Sequence, residues 1–135
     1  ISIELSTDLK KLVKEKKDFA IETTLATRSY ASLFKDLKAI GYDIFLLFVY
    51  IQNVNEAKKR VKERVKQGGH NIPEDIIERR FERGLKNFSK LYVTSVDRWV
   101  IMDNSSEVPI FVAQRKGEDV IIRDTEIWNK IKSYE

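Results

Sequence analysis

Ten consecutive residues, Tyr42–Ile51 (YDIFLLFVYI), constrain the fold more than any other stretch. They are apolar without the alternation of a strand that has one wet face. A strand covered on both faces reads this way, and such strands are usually parallel. A parallel strand needs a crossover, most often a helix, and helical patterns flank this one. Upstream, Ser29 stands before Leu33, Phe34 and Leu37, with Gly41 as the stop. Downstream, Asn53 is placed to cap a helix running to about Gln67.

The rest of the chain alternates in the same way. Leu5, Leu9, Leu12 and Val13 put an amphipathic helix over Ile3–Lys16. Asp18–Thr24 reads as a short strand, Phe19-Ala20-Ile21 leading to Glu22. Pro73 opens a helix to about Lys90, and Arg98–Asp103 (RWVIMD) is a further strand. Val108–Gln114 and Asp119–Arg123 form a hairpin about Lys116-Gly117, and Thr125–Ser133 closes with a helix. Strands interleaved with helices predict an α/β domain with a mainly parallel sheet flanked by helices. The 135 residues suit one domain, 1–135, without repeats or linkers, in which 53–90 forms a helical hairpin.

Composition removes several classes of function. There is no cysteine, hence no disulfide or thiolate metal site, and one histidine, so no metal site is expected. The longest apolar run, Ile44–Ile51, is too short to span a bilayer, and Ile1–Lys17 lacks the apolar core of a signal peptide. A cytoplasmic protein without a membrane partner is expected. The net charge of +4 fits an anionic ligand. The Val54–Gln67 helix carries 6 Lys/Arg against 2 Glu but has no interleaved aromatic residues, which argues against nucleic acid as a partner.

The two central helices meet at Gly68-Gly69, beside His70. In the first, Val54, Ala57, Val61 and Val65 form the apolar stripe, with Arg60 and Arg64 four apart beside it. In the second, Ile76, Ile77, Phe81, Leu85 and Phe88 face the core, and Arg80 falls between Ile76 and Ile77 on the helical wheel. A guanidinium in an apolar stripe is costly unless it meets an anion, and arginine forks suit phosphate oxygens. Two readings stand: a cationic lid that closes on a phosphate, or a solvated hairpin with Arg80 paired to a carboxylate. Strand ends matter too, because ligands gather at the carboxyl ends of strands in open α/β sheets. Glu22-Thr23-Thr24, with Arg28 just beyond, offers a carboxylate and two hydroxyls that suit a sugar or polyol; the alternative is turn capping. Asp103-Asn104-Ser105 ends another strand.

In order, FAIETTLATRSY, GYDIFLLFVYI, RVKERVKQGGHNIPEDIIERRF and DRWVIMDNS resemble the pattern of zeta-toxin-like P-loop kinases, more closely the branch labelled predicted ABC-type ATPase. The resemblance runs from about Leu9 to Ala113. It implies a P-loop kinase-like fold and an ATP- and Mg2+-dependent small-molecule kinase acting on a nucleotide sugar such as UDP-N-acetylglucosamine, with an antitoxin protein as a partner for some members. By the same resemblance, Glu22 and Thr23 face the acceptor sugar, with Thr24 and Arg28 close by. Arg64 and Arg80 hold the transferring phosphate as the catalytic pair. Arg60 and His70 support them, Gly68 and Gly69 form the lid turn, and Asp103-Asn104 leads into the nucleotide-side loop.

One departure is plain. The Walker A loop, G-x-x-x-x-G-K-[ST], is absent: Gly41, Gly68, Gly69, Gly84 and Gly117 are the only glycines, and none precedes Lys-Ser or Lys-Thr. The family's general-base carboxylate also lies upstream of the matched region. Two accounts follow. In one, the first βα unit is absent from this chain, which starts at Ile1 rather than Met, and the kinase is complete only with that Walker A segment. In the other, the chain is a truncated, non-catalytic homologue that binds an anionic ligand or a protein partner. The missing strand belongs mid-sheet, so its loss is expected to leave a gap of unpaired backbone groups.

Overall fold

The computed structural model describes residues 3–134. Among them six α-helices, one π-helical turn and four strands follow one another: α1 (Ile3–Lys14), α2 (Tyr30–Ala39), β1 (Phe45–Tyr50), α3 (Val54–Lys66), α4 (Glu74–Asn87), the π-helical turn (Phe88–Tyr92), α5 (Val93–Ser95), β2 (Arg98–Asp103), β3 (Ile110–Lys116), β4 (Asp119–Ile122) and α6 (Thr125–Lys132). The expected α1 stripe holds at Leu9, which is buried; the side chain of Leu5, like Ile1, lies outside the described residues.

The sheet has the order β1-β2-β3-β4. β1 and β2 run parallel, linked by the α3–α4 crossover, whereas β2–β3 and β3–β4 are antiparallel. The parallel character is thus confined to the first pair, because the last strands are joined by a short turn, with Gly117 at φ +65°, that only an antiparallel pair can use. The gap expected at mid-sheet is not there. β1 pairs with β2 along its whole length, Phe45↔Arg98 to Tyr50↔Asp103. No vacancy separates β1 from β2, while the outer edge of β1 is left without a neighbouring strand among the described residues.

The expected strand over Asp18–Thr24 is not formed. Thr23 Oγ1 accepts from the Leu25 amide at 3.1 Å and Thr24 Oγ1 from the Ala26 amide at 3.4 Å, so the hydroxyls offer the backbone local partners in place of a ladder. Leu25 sits at φ +59°, which ends any extended run.

The core lies on one face of the sheet, under α2, the α4–α5 helix and α6. Phe48 stacks on Phe88 with ring centroids 4.3 Å apart, Phe88 meets Trp99 edge-on at 5.9 Å, and Trp99 stacks on Trp128 at 5.4 Å. Phe88, Tyr92, Trp99, Ile101 and Ile131 are fully buried. Burying each such side chain contributes about 1.5–3 kcal/mol. The π turn inserts one extra residue into the helix, and both of its ends, Phe88 and Tyr92, face the core. The opposite face of the sheet is bare: Phe45, Leu47, Val49 and Ile121 are exposed on it. The apolar run of β1 is therefore covered on one side only, not on both as its composition predicts.

Candidate functional site

Two groups of the expected residues are assembled by different elements. The first lies at the carboxyl ends of the parallel pair. Asn53 caps α3, its Oδ1 accepting from the Glu56 amide at 2.9 Å, and so aims α3 across the end of the sheet. Asp103 ends β2, and its Oδ1 accepts from the Ser105 amide at 3.0 Å and from the Ser105 hydroxyl at 2.6 Å. Ser105 Oγ in turn accepts from the Gln52 amide at 3.2 Å, and the Asn104 amide donates to the Tyr50 carbonyl at 3.0 Å. Arg60, half-buried on α3, donates through Nη2 to the Asn104 carbonyl. A shallow cleft of about 410 Å³ opens here, lined by Glu56, Lys59, Arg60, Glu63 and the 104–107 loop. Its charge is mixed, with Lys59 and Arg60 facing Glu56, Glu63 and Glu107. Asp103 and Asn104 shape the loop through their own hydrogen bonds, and Arg60 ties the helical hairpin to it.

Tyr50 sits beneath this end of the sheet. Burial pushes its phenol above the ordinary value of 10, and the nearby Tyr134, Asp103 and Asp124 push it the same way.

The second group is carried by α4. The 22–28 segment crosses this helix at Gly84, where a Cβ would stand 2.5 Å from the Thr24 carbonyl oxygen. Only a residue without a side chain allows that approach. Asn87 Nδ2, buried, donates to the Leu25 carbonyl at 2.7 Å, and the Tyr92 hydroxyl donates to the Thr27 carbonyl. Glu22, Thr23, Thr24 and Arg28 thus stand exposed on a loop pinned from below at three points. Burial also raises the Tyr92 phenol. Arg80 is four residues before Gly84, hence on the same face of α4 and one turn from the crossing. The fold therefore brings the Glu22–Thr24 loop and Arg80 to one helix face.

Arg80 itself is exposed and makes no hydrogen bond or ion pair with a described residue. The sequence places it inside an apolar stripe; the wheel position is right but the burial is not. Before Gly84 the only buried residue of α4 is Ile77, and α3 has none, so the face that carries Arg80 is left open. For the same reason Val65, expected in a buried stripe, is exposed. The carboxylates of the hairpin are taken by lysines instead. Lys58 bonds to Glu78 and lies 3.7 Å from Glu74, and Lys62 lies 3.8 Å from Glu74. These pairs match an antiparallel hairpin, and the hydrogen bond to Glu78 raises the Lys58 pKa. Gly68 at φ +93° and Gly69, whose amide donates to the Arg64 carbonyl at 2.7 Å, form the turn, followed by exposed His70. Arg64 is exposed one turn beyond Arg60.

Sequence reasoning missed Gly84, Asn87 and Tyr92 as supports of the 22–28 loop. The signal was present for one of them. Asn87 is an uncharged polar residue directly before the core residue Phe88, and a buried amide needs a hydrogen-bond partner.

The zeta toxin family model matches residues 5–116. The chain belongs to the zeta toxin family. A protein from Haemophilus influenzae named only as uncharacterized is 36% identical over 69 residues, covering 51% of this chain and 49% of that protein. The matched segment thus spans about half the length of the curated relative. No solved structure matches. Zeta toxin membership brings with it a P-loop kinase-like α/β fold. In this zeta toxin chain no G-x-x-x-x-G-K-[ST] motif occurs among the 135 residues. Its one glycine pair lies in the hairpin turn, no strand-to-helix loop carries the phosphate-binding glycines, and the Asp103 carboxylate is turned into its own loop. Among the described residues no cluster of three or more His, Cys, Asp or Glu side chains is placed to hold a metal ion, and no helix is long and apolar enough to cross a membrane.

Proposed function

We propose that this chain is the acceptor-and-lid portion of an ATP- and Mg2+-dependent small-molecule kinase that phosphorylates a nucleotide sugar such as UDP-N-acetylglucosamine. The Walker A loop, with its lysine and metal ligand, comes from residues outside these 135. The observation that carries the reading is the crossing of Thr24 over Gly84, one helical turn from Arg80. It fixes the loop that carries a carboxylate and two hydroxyls, of the kind that bind sugar hydroxyls, one helical turn from a guanidinium of the kind that binds phosphate. Phosphoryl transfer depends mostly on positioning and charge neutralisation, and those are the contributions these residues can make. Glu22, Thr23 and Thr24, with Arg28, orient the acceptor. Arg80 and Arg64 neutralise the transferred phosphate as the 53–90 lid closes about Gly68-Gly69, with Arg60 and His70 in support. Asp103 and Asn104 border the nucleotide side. The site of action is the cytoplasm, and an antitoxin protein is a natural partner.

A second reading is favoured by the missing Walker A motif, since none of the glycines precedes Lys-Ser or Lys-Thr. In that reading the chain is a non-catalytic homologue that retains the ligand surface and binds an anionic ligand or a protein partner. Calorimetric titration with UDP-N-acetylglucosamine, followed by an assay of phosphate transfer from ATP, separates the two. Transfer establishes the kinase. Binding without transfer assigns the second reading, and absence of binding rejects the acceptor loop in both.

A further inference from the structure

Asn87 and Tyr92 are five residues apart, a spacing that an α-helix does not bring to one side. At about 3.6 residues per turn, side chains five apart diverge by roughly 140°. Both nevertheless reach the same loop. Asn87 Nδ2 donates to the Leu25 carbonyl at 2.7 Å, and the Tyr92 hydroxyl donates to the Thr27 carbonyl. The stretch between them is the π-helical turn, at whose end the Val93 amide donates five residues back to the Phe88 carbonyl. A turn closed over five residues returns residue i+5 toward the side of residue i. Ser89, buried inside the turn, gives its hydroxyl to the Leu85 carbonyl at 3.1 Å, a back-bond of the kind that bends helices. Single π turns within α-helices are frequent at functional sites.

Gly84, Asn87 and Tyr92 thus line up beneath one segment. Gly84 admits the Thr24 carbonyl, and the other two take the carbonyls of Leu25 and Thr27. Each of these contacts is made to the main chain. The path of the loop is therefore fixed, while the side chains of Glu22, Thr23, Thr24 and Arg28 stay exposed.

We propose that the π turn is a positioning device: by bringing Asn87 and Tyr92 to one side of the helix, it holds Glu22, Thr23, Thr24 and Arg28 in a fixed place relative to Arg80. Asn87 and Tyr92 act through the loop backbone and are positioning residues. The inference rests on the proposed function, in which this loop binds the acceptor, and it adds two residues on which acceptor affinity depends without touching the acceptor. A Tyr92 hydroxyl that served the fold alone would lower the unfolding midpoint when removed and leave affinity untouched in the folded protein.

The test compares the wild type with Tyr92→Phe and Ile131→Val. Tyr92→Phe deletes the donor and keeps the buried ring, which meets Phe34 edge-on at 5.8 Å. Ile131→Val removes a methyl group from the core at α6 and controls for lost stability. Amide exchange of the ligand-free chain is read first. In the wild type the Leu25 and Val93 amides are expected to show equal protection, because loop and turn open as one unit. In Tyr92→Phe the Leu25 amide is expected to lose about fivefold in protection relative to Val93, the effect of one neutral hydrogen bond, and in Ile131→Val to keep pace with it. Calorimetric titration with UDP-N-acetylglucosamine is read second, at a temperature where all three are folded. Tyr92→Phe is expected to bind about fivefold more weakly, and Ile131→Val as the wild type does. A wild-type Leu25 amide that exchanges far ahead of Val93, or a Tyr92→Phe loop as protected as the wild-type loop, overturns the clamp. A loosened loop with undiminished affinity assigns the hydroxyl to the fold alone and overturns the positioning role. A wild type that does not bind rejects the acceptor reading, and the exchange data alone then uphold or overturn the clamp.

Discussion

At the scale of single residues, the contacts that define the 22–28 loop are long-range and stereochemical. Gly84 is required by the Thr24 carbonyl and not by any unusual backbone angle of its own. Gly84→Ala pushes a methyl group against that carbonyl and is expected to destabilise the fold by about 1–3 kcal/mol, read as a lower denaturant midpoint. Asn87→Ala leaves the Leu25 carbonyl without its donor and is expected to cost a similar amount, about 1–3 kcal/mol. The two residues support one loop, so a double mutant falling well short of the sum of the singles is the expected sign of their coupling. Arg80 and Arg79 are adjacent and both exposed, but only Arg80 shares the helix face with Gly84. Arg80→Ala is expected to weaken binding of a phosphate-bearing ligand by about tenfold or more, as suits a charge-assisted bond worth roughly 1.5–3 kcal/mol, and Arg79→Ala by less than about twofold. Equal losses in a calorimetric titration would sink the assignment. None of these partnerships is visible in sequence spacing, since Leu25 and Asn87 are 62 residues apart.

At the scale of elements, the sequence was most legible where periodicity and caps agreed. The Asn53 cap, the α3 and α4 helices, the stop at Gly41 and β2 all lie where apolar spacing and cap chemistry put them. The failures share a cause. Asp18–Thr24 has strand-like composition, but threonine hydroxyls captured the amides that a ladder needed. Arg80 and Val65 sit on the right side of their helices, but α3 buries no residue and α4 only Ile77 before Gly84, so both are left open. Periodicity reports which way a side chain points and not whether another element arrives there. Because α3 buries no residue and is tied to the 104–107 loop through Arg60, it is expected to fray before the core. Asn53→Ala removes its cap and about 1 kcal/mol of local stability. Faster exchange of α3 amides, with little change in the global unfolding midpoint, is the expected result. An equal loss across α3 and the sheet would show that the hairpin is part of the cooperative core.

At the scale of the whole molecule, two phenols couple stability to pH. Tyr50 and Tyr92 have pKa values raised above 10 by burial. A raised folded-state value means that the folded chain holds its protons longer than the unfolded one. Their contribution is complete below pH 10 and is lost as pH climbs from there toward the folded values. Denaturant midpoints are expected to be indifferent to these groups at neutral pH and to fall above about pH 10, with Tyr50→Phe reducing the alkaline slope. The α/β class was legible in the alternation of elements, but the β1–β2 closure was not, since sequence alone cannot say which strands will be neighbours. That closure has a consequence during synthesis. Ile44 and Asp97, which bond across the start of the ladder, are 53 residues apart, whereas β2, β3 and β4 follow one another closely. On a ribosome adding about 5–20 residues per second, the uncharged β1 segment is complete roughly 3–10 s before its partner strand emerges. For that interval FLLFVY is an apolar peptide without a neighbour, and the nascent chain must be shielded at this one segment before it can become a sheet.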